Sequence, residues 1–353
     1  MDGQFVKQAS KQASKQASID NCTFIKTVLM VCVIIYHSCL FWTGNWFTVQ
    51  PVQLQARLLG LIAGWLNSFH IYGFTFVSGY IFQYLKHEKG KYSVFHDLLQ
   101  NKIKRLIVPY FFAMAIWVAP ISIIIFSYSI REIIINYLLC ANPSQLWFLW
   151  MLFGVFLLVY PLSNYLNNDT IAILISLVAW LISYYGGNAF PNIFCIWTAF
   201  DYLPYFILGM KIREKQYDVS NGIFAWFMIV LQISVYVMFV VLSNIVSGFS
   251  LSCIEHFVHV LGALTSFFFL QWLSSKINWK KYKLFNYFSK RSMPIYLFHQ
   301  QVIYLTIILL NGKVNPYINA TLNFVVATVV SAMISSYLLK YKWTSILIGE
   351  RRK

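Results

Sequence analysis

Long apolar runs constrain this chain more than anything else in it. Ten fall at residues 24–43, 66–85, 105–127, 145–162, 170–186, 199–210, 222–246, 253–275, 293–311 and 320–340. A helix needs roughly 20 residues to cross the hydrocarbon of a bilayer, and many of these runs reach that length. Within lipid, backbone N–H and C=O groups must be satisfied internally, which favours helices. The expected fold is therefore all-α, a polytopic integral membrane bundle of about ten transmembrane helices. Composition agrees, with 59% hydrophobic, 19% aromatic and only 11% charged residues, where a soluble domain carries about a quarter charged. The run from Phe24 is too charged at Lys26, and too polar after His37, for a signal peptide. It reads as a retained first helix.

The net charge of +16 is topological and does not point to nucleic acid. With the N-terminus in the cytoplasm, 24 of the 27 Lys and Arg lie in inner segments, leaving only Arg57, Arg131 and Lys313 outside. That asymmetry is the positive-inside rule, and it predicts that both termini are cytoplasmic. The six Cys show no CxxC or metal spacing, so no metal is expected. They read as small buried hydrophobes, with a disulfide among Cys140, Cys195 and Cys253 as the alternative.

Three parts follow along the chain. Residues 1–19 hold three tandem KQAS copies and read as a disordered cytoplasmic tail, or, if helical, as one that faces Lys7, Lys11 and Lys15 toward anionic lipid. Residues 20–340 are the transmembrane domain, and 341–353 a basic cytoplasmic tail. No soluble domain is present, so any chemistry belongs within the bundle or at its edge.

Several polar groups interrupt the runs. Ionisable side chains in a spanning helix cost roughly 2.5 to 3.5 kcal/mol on insertion scales, so they usually mark function. Lys26 and His37 are eleven positions apart, about 16 Å along a helix and on nearly the same face. His37, in the outer half, suits proton handling, and Lys26, near the inner edge, a ligand from the cytoplasm. Lys102 and Arg105 precede LIVPYF and present one positive face that suits phosphates, or serves topology alone. In FVSGYIF, Gly79 suits close helix packing, and Ser78 is placed to hydrogen-bond a ligand. In QLWFLWMLF, Trp147 and Trp150 read as interfacial anchors. MPIYLFHQQ places His299 about two turns into the ninth span from the cytoplasm. Toward the outer side lie Trp42, Trp46, Trp65 and His70, with Glu255 and His259 one helical turn apart.

In order, a basic residue and His in the first span, FVSGY, K-x-x-R-L-I-V-P-Y, LWFL, YLPYFILGM and PIYLFH resemble the membrane acyltransferase 3 family over about residues 19–340. The resemblance implies an integral-membrane O-acyltransferase, most often an O-acetyltransferase, of a bacterial cell membrane. It would take an acyl group from cytoplasmic acetyl-CoA, or another acyl-CoA, and deliver it to a hydroxyl of a surface polysaccharide or lipid-linked glycan. The resemblance puts the catalytic pair on Lys26 and His37, and acyl-CoA handling on Lys102 and Arg105. Family members often carry Arg where this chain has Lys26 and Lys102, and Asp where it has Thr23. His37 suits a general base near neutral pH, or a nucleophile that carries the acyl group itself. Ser78 and His299 are expected along the acyl-CoA arm, and Trp42, Trp46, His70 and Glu255 against the glycan. A glycan or small-anion transporter without chemistry is the alternative function, and a polysaccharide polymerase is less suited because no outer loop is long.

Overall fold

The structure, a computed structural model, describes residues 2–217 and 221–350, with side chains from Ile19 onward. The KQAS repeats of the expected tail at 1–19 thus lie outside the residues described in full. The described chain is helical and contains no strand. We number the principal helices α1 (Asp2–Leu40), α2 (Arg57–Asn67), α3 (His70–Gln83), α4 (Phe95–Phe126), α5 (Trp147–Leu162) and α6 (Asp169–Ala189). The series continues with α7 (Ile196–Lys215), α8 (Gly222–Leu242), α9 (Gly248–Lys276), α10 (Ser292–Leu310), α11 (Pro316–Leu338) and the short α12 (Lys342–Leu347).

Among the described residues, nine helical segments are long and apolar enough to cross a membrane. The expected run at 66–85 differs: the chain breaks after Asn67, and α3 has 14 residues. Local side chains account for the break. The Ser68 hydroxyl donates to the Trp65 carbonyl at 2.6 Å, and His70 Nδ1 lies 2.6 Å from the Leu66 carbonyl. Both compete for acceptors that a continuous helix needs. The short run expected at 199–210 instead belongs to a full-length segment, Ile193–Lys215.

α3 is the centre of the bundle, buried along almost its whole length. It packs on α7 by reciprocal glycines. A Cβ on Gly79 would stand 2.0 Å from the Phe206 carbonyl oxygen, and one on Gly209 would stand 2.0 Å from that of Phe76. Two helix backbones in contact this closely leave room for hydrogen alone. Gly79→Ala or Gly209→Ala is expected to cost about 1 to 3 kcal/mol by overpacking; a lowered unfolding temperature of the purified protein checks it, and a wild-type value would refute it. At the periphery, α6 exposes Ile173, Leu174, Leu177 and Val178, and α8 exposes Ile223, Phe227, Val230 and Val237. Apolar side chains turned outward in this way need lipid as their solvent.

α4 carries two wide turns, at Ile103–Ile107 and Met114–Val118. Each sits just before a proline, Pro109 and Pro120. Proline has no N–H to give the carbonyl four residues back and its ring crowds that carbonyl, so the helix widens there. All six cysteines are free, so the disulfide alternative is set aside; the Cys195 thiol instead approaches the Cys140 carbonyl at 3.5 Å.

Candidate active site

Lys26 of α1 and Lys102 and Arg105 of α4 converge on one cavity of about 450 Å³ at the end of the bundle where α1 emerges from its first residues. The wide turn at Ile103–Ile107 contains Arg105 and follows directly on Lys102. The Lys102 ammonium sits 3.5 Å from the centre of the Phe156 ring, a cation–π contact. Lys26 makes no hydrogen bond or ion pair among the described residues, although it stands inside the helical bundle. Ser78 also lines the cavity; its hydroxyl donates to the Phe74 carbonyl at 2.8 Å and keeps its lone pairs. Three cations against one acid, Glu350, give the cavity a net positive lining that suits an anion.

Glu350 reaches it from the C-terminal segment. The stretch 341–350, expected as a plain basic tail, forms α12 and folds back on the bundle, with Ser345 and Ile348 buried. Gly349, at φ +77°, has its backbone beside Pro109 and the Arg105 carbonyl; a side chain there would be strained. Burial pushes the Glu350 carboxyl above its ordinary pKa, and Arg105 pulls it back.

Met30, Phe148 and Tyr296 also line the cavity. Met30 is eleven residues beyond Ile19 at the mouth, about 16 Å of helix. Behind Tyr296, His37 of α1 and His299 of α10 meet, with His37 Nδ1 3.1 Å from His299 Nε2. Both rings are buried. His37 Nδ1 also lies 2.9 Å from the Val33 carbonyl, and His299 Nδ1 lies 2.8 Å from that of Tyr296. The aromatic rings of Tyr36 and Trp46 flank His37 at 4.8 and 5.8 Å.

Trp46 leads to a second cavity of about 590 Å³ at the opposite end. It is lined by Trp46, Tyr128, Tyr137, Asn142, Ser144 and Tyr304 among others, and no charged side chain contributes. Amides fix its wall: Gln300 donates to Ser144 at 2.8 Å and also to the Tyr304 hydroxyl, while Gln145 and Gln301 pair at 2.7 and 3.0 Å. The histidine pair thus separates a cationic cavity from an uncharged, aromatic one.

Several expectations change against this geometry. His37 and Lys26 were expected to face one groove; Lys26 lines the cationic cavity, whereas the Val33 carbonyl and His299 turn His37 away from it. His299 does not line that cavity either, since α10 brings it to the depth of His37. Of Trp42, Trp46, His70 and Glu255, only Trp46 lines the uncharged cavity. Trp42 is buried and its indole donates to the Leu54 carbonyl at 3.2 Å. His70 is held by Leu66 and packs behind Tyr36. Glu255 is exposed on α9 and makes no ion pair with His259, which stacks on Tyr72 at 3.9 Å. Trp65 donates to Gln232 at 2.8 Å. Trp147 and Trp150 pack between helices, against Tyr202 and Tyr110, where interfacial anchors would face outward. Asp20 pairs with Lys280 at 2.7 Å. Sequence reading did not single out Tyr296, Gln145, Gln300, Gln301, Tyr304 or Glu350; the QQ that follows His299 was the available signal.

Residues 18–341 match a family model, the acyltransferase domain of acyltransferase 3. The chain belongs to the acyltransferase 3 family. It is accordingly a multi-pass membrane acyltransferase, and the match covers all three cations of the cavity and both histidines. Neither a curated protein nor a solved structure matches this acyltransferase.

Proposed function

We propose that this acyltransferase moves an acetyl group from cytoplasmic acetyl-CoA to a hydroxyl of a cell-surface or lipid-linked glycan. The observation that supports it best is the buried His37 between a cationic cavity and an uncharged aromatic one. The coenzyme's phosphates would lie on Lys102 and Arg105 at the mouth, its arm running past Lys26 and Ser78 toward Tyr296. The sugar would enter from the far side, stacking on Trp46 and Tyr304 and hydrogen-bonding Asn142 and Ser144. His37 takes the hydroxyl proton as the new C–O bond forms; the C–S bond breaks, and the proton returns to the coenzyme's sulfur. Such base help is worth typically 10²- to 10⁴-fold.

Mass spectrometry of surface glycan from cells with and without the gene tests this reading. One acetyl increment per modified sugar, lost with the gene, is the expected result. Identical glycans together with changed glycan export would favour a transporter. The basic end belongs in the cytoplasm of a bacterial cell membrane, so a reporter fused after Lys353 is expected to be cytoplasmic; a signal on the outer side would reverse the assignment of both cavities.

Glu350 adds a pH dependence. Its negative charge opposes the coenzyme's phosphates, so protonating it as pH falls should tighten acetyl-CoA binding by about 2- to 5-fold. Glu350→Gln should bind tightly throughout; calorimetric titration across pH checks this, and parallel profiles for variant and wild type would refute it.

A further inference from the structure

His299 does not line the acyl-CoA cavity, yet it is fully buried and its ring meets that of His37 edge-on, 4.9 Å between centres. The hydrogen-bond partners assign the protons. A carbonyl oxygen only accepts, so each Nδ1 that faces one must carry hydrogen in the neutral ring. His37 Nδ1, facing the Val33 carbonyl, is therefore N–H, and so is His299 Nδ1, facing that of Tyr296. His299 Nε2 is left with a lone pair, and the His37 Nδ1–H is shared between it and Val33. His37 then keeps its basic lone pair on Nε2, across the ring.

From this we infer that His299 is a positioning residue for the reaction: it holds His37 in the Nδ1–H form and accepts a hydrogen bond from the imidazolium that develops. The inference rests on the acyl-transfer reading above. When Nε2 takes the proton from the acceptor hydroxyl, the contact from Nδ1–H to His299 becomes charge-assisted, and such bonds are about twice as strong as neutral ones. In hydrolytic triads a carboxylate does this for its histidine. A neutral imidazole does it here without placing a net charge in the membrane, where an isolated carboxylate would be costly. Its own orientation is secured on both sides in sequence, by the Tyr296 carbonyl bond and by the amides of Gln145 and Gln301, which clamp α10 to the segment before α5; Gln145 also donates to the Leu297 carbonyl at 3.0 Å.

The test compares His299→Phe with His299→Gln in nanodiscs. Phe keeps the ring's bulk and has no acceptor, whereas Gln places an amide oxygen close to where Nε2 stands. Release of free CoA thiol from acetyl-CoA is followed, with glycolipid extract of the host membrane as acceptor. His299→Phe is expected to lower kcat about 10- to 100-fold, the worth of a hydrogen bond to a charged group, with KM for acetyl-CoA unchanged. His299→Gln is expected to recover most of the loss. A merely structural role would lower both variants alike, along with their unfolding temperatures. Equal losses in Phe and Gln, or wild-type kcat in both, would overturn the inference while wild-type transfer leaves the functional reading intact. A raised KM for acetyl-CoA with kcat unchanged would overturn it in favour of coenzyme binding by His299. Wild-type protein that releases no thiol would instead remove the functional reading, and this assignment with it.

Discussion

His37→Ala should slow acyl transfer by at least about 100-fold while the protein still inserts and folds. The imidazole is buried among Tyr36, Trp46 and His299, where a polar group lowers no insertion cost. Removing it should leave membrane levels and unfolding temperature near those of wild type, apart from the cost of the space left behind. The rate suffers because a sugar hydroxyl is a poor nucleophile while it keeps its proton, and the proposed base between the two cavities is gone. Lys26 does not substitute. It stands about 16 Å away along α1 and lines the cationic cavity. Lys26→Ala should therefore raise KM for acetyl-CoA, and Lys26→Arg should retain activity if charge alone is required. Glycan acetylation at the wild-type rate by well-folded His37→Ala would remove His37 from the mechanism and place a transporter ahead of an acetyl transferase.

Arg105→Ala is the second large effect expected, a loss of about 10- to 100-fold in acetyl-CoA affinity with little change in acceptor binding. Its guanidinium is exposed at the cavity mouth and has no ion pair among the described residues, so it is available to a phosphate. Hydrogen bonds to charged groups contribute about 1.5 to 3 kcal/mol each, which sets the range. Arg105→Lys should recover the charge and lose the two-pronged contact, giving an intermediate affinity. Calorimetry with acetyl-CoA on the purified protein distinguishes these outcomes. An unchanged affinity in Arg105→Ala would return Lys102 and Arg105 to a role in topology alone.

Much of the site was legible because single helices carry their own geometry. Lys102 and Arg105 reach one cavity because they are three positions apart, and Gly79 reads as a packing residue from its place in FVSGY, as its contact with Phe206 bears out. The misplacements arose between elements. Depth counted along each run put His299 in the inner half and His37 in the outer one, but the packing of α1 against α10 brings the two rings to hydrogen-bond distance. His70 and Trp42 read as glycan-contacting groups of the outer side because hydropathy does not show that the Leu66 and Leu54 carbonyls would capture them. Glu350 was invisible for a similar reason, since nothing in a short basic stretch indicates that it folds back on Pro109 and Arg105.

By itself the amino-acid sequence determined the all-helical membrane bundle, its family and the residues able to carry charge or a proton within it. Those follow from local quantities, the length and polarity of each run and the angular period of one helix. Only the tertiary structure decided that His37 meets His299, that three cations share a cavity with Glu350, and that Trp46 and Tyr304 face a second cavity beyond them. These relations depend on how helices approach one another, which is set by contacts such as those of Gly79 with Phe206 and Gly209 with Phe76, and by hydrogen bonds between residues more than a hundred positions apart. No period along one helix encodes them.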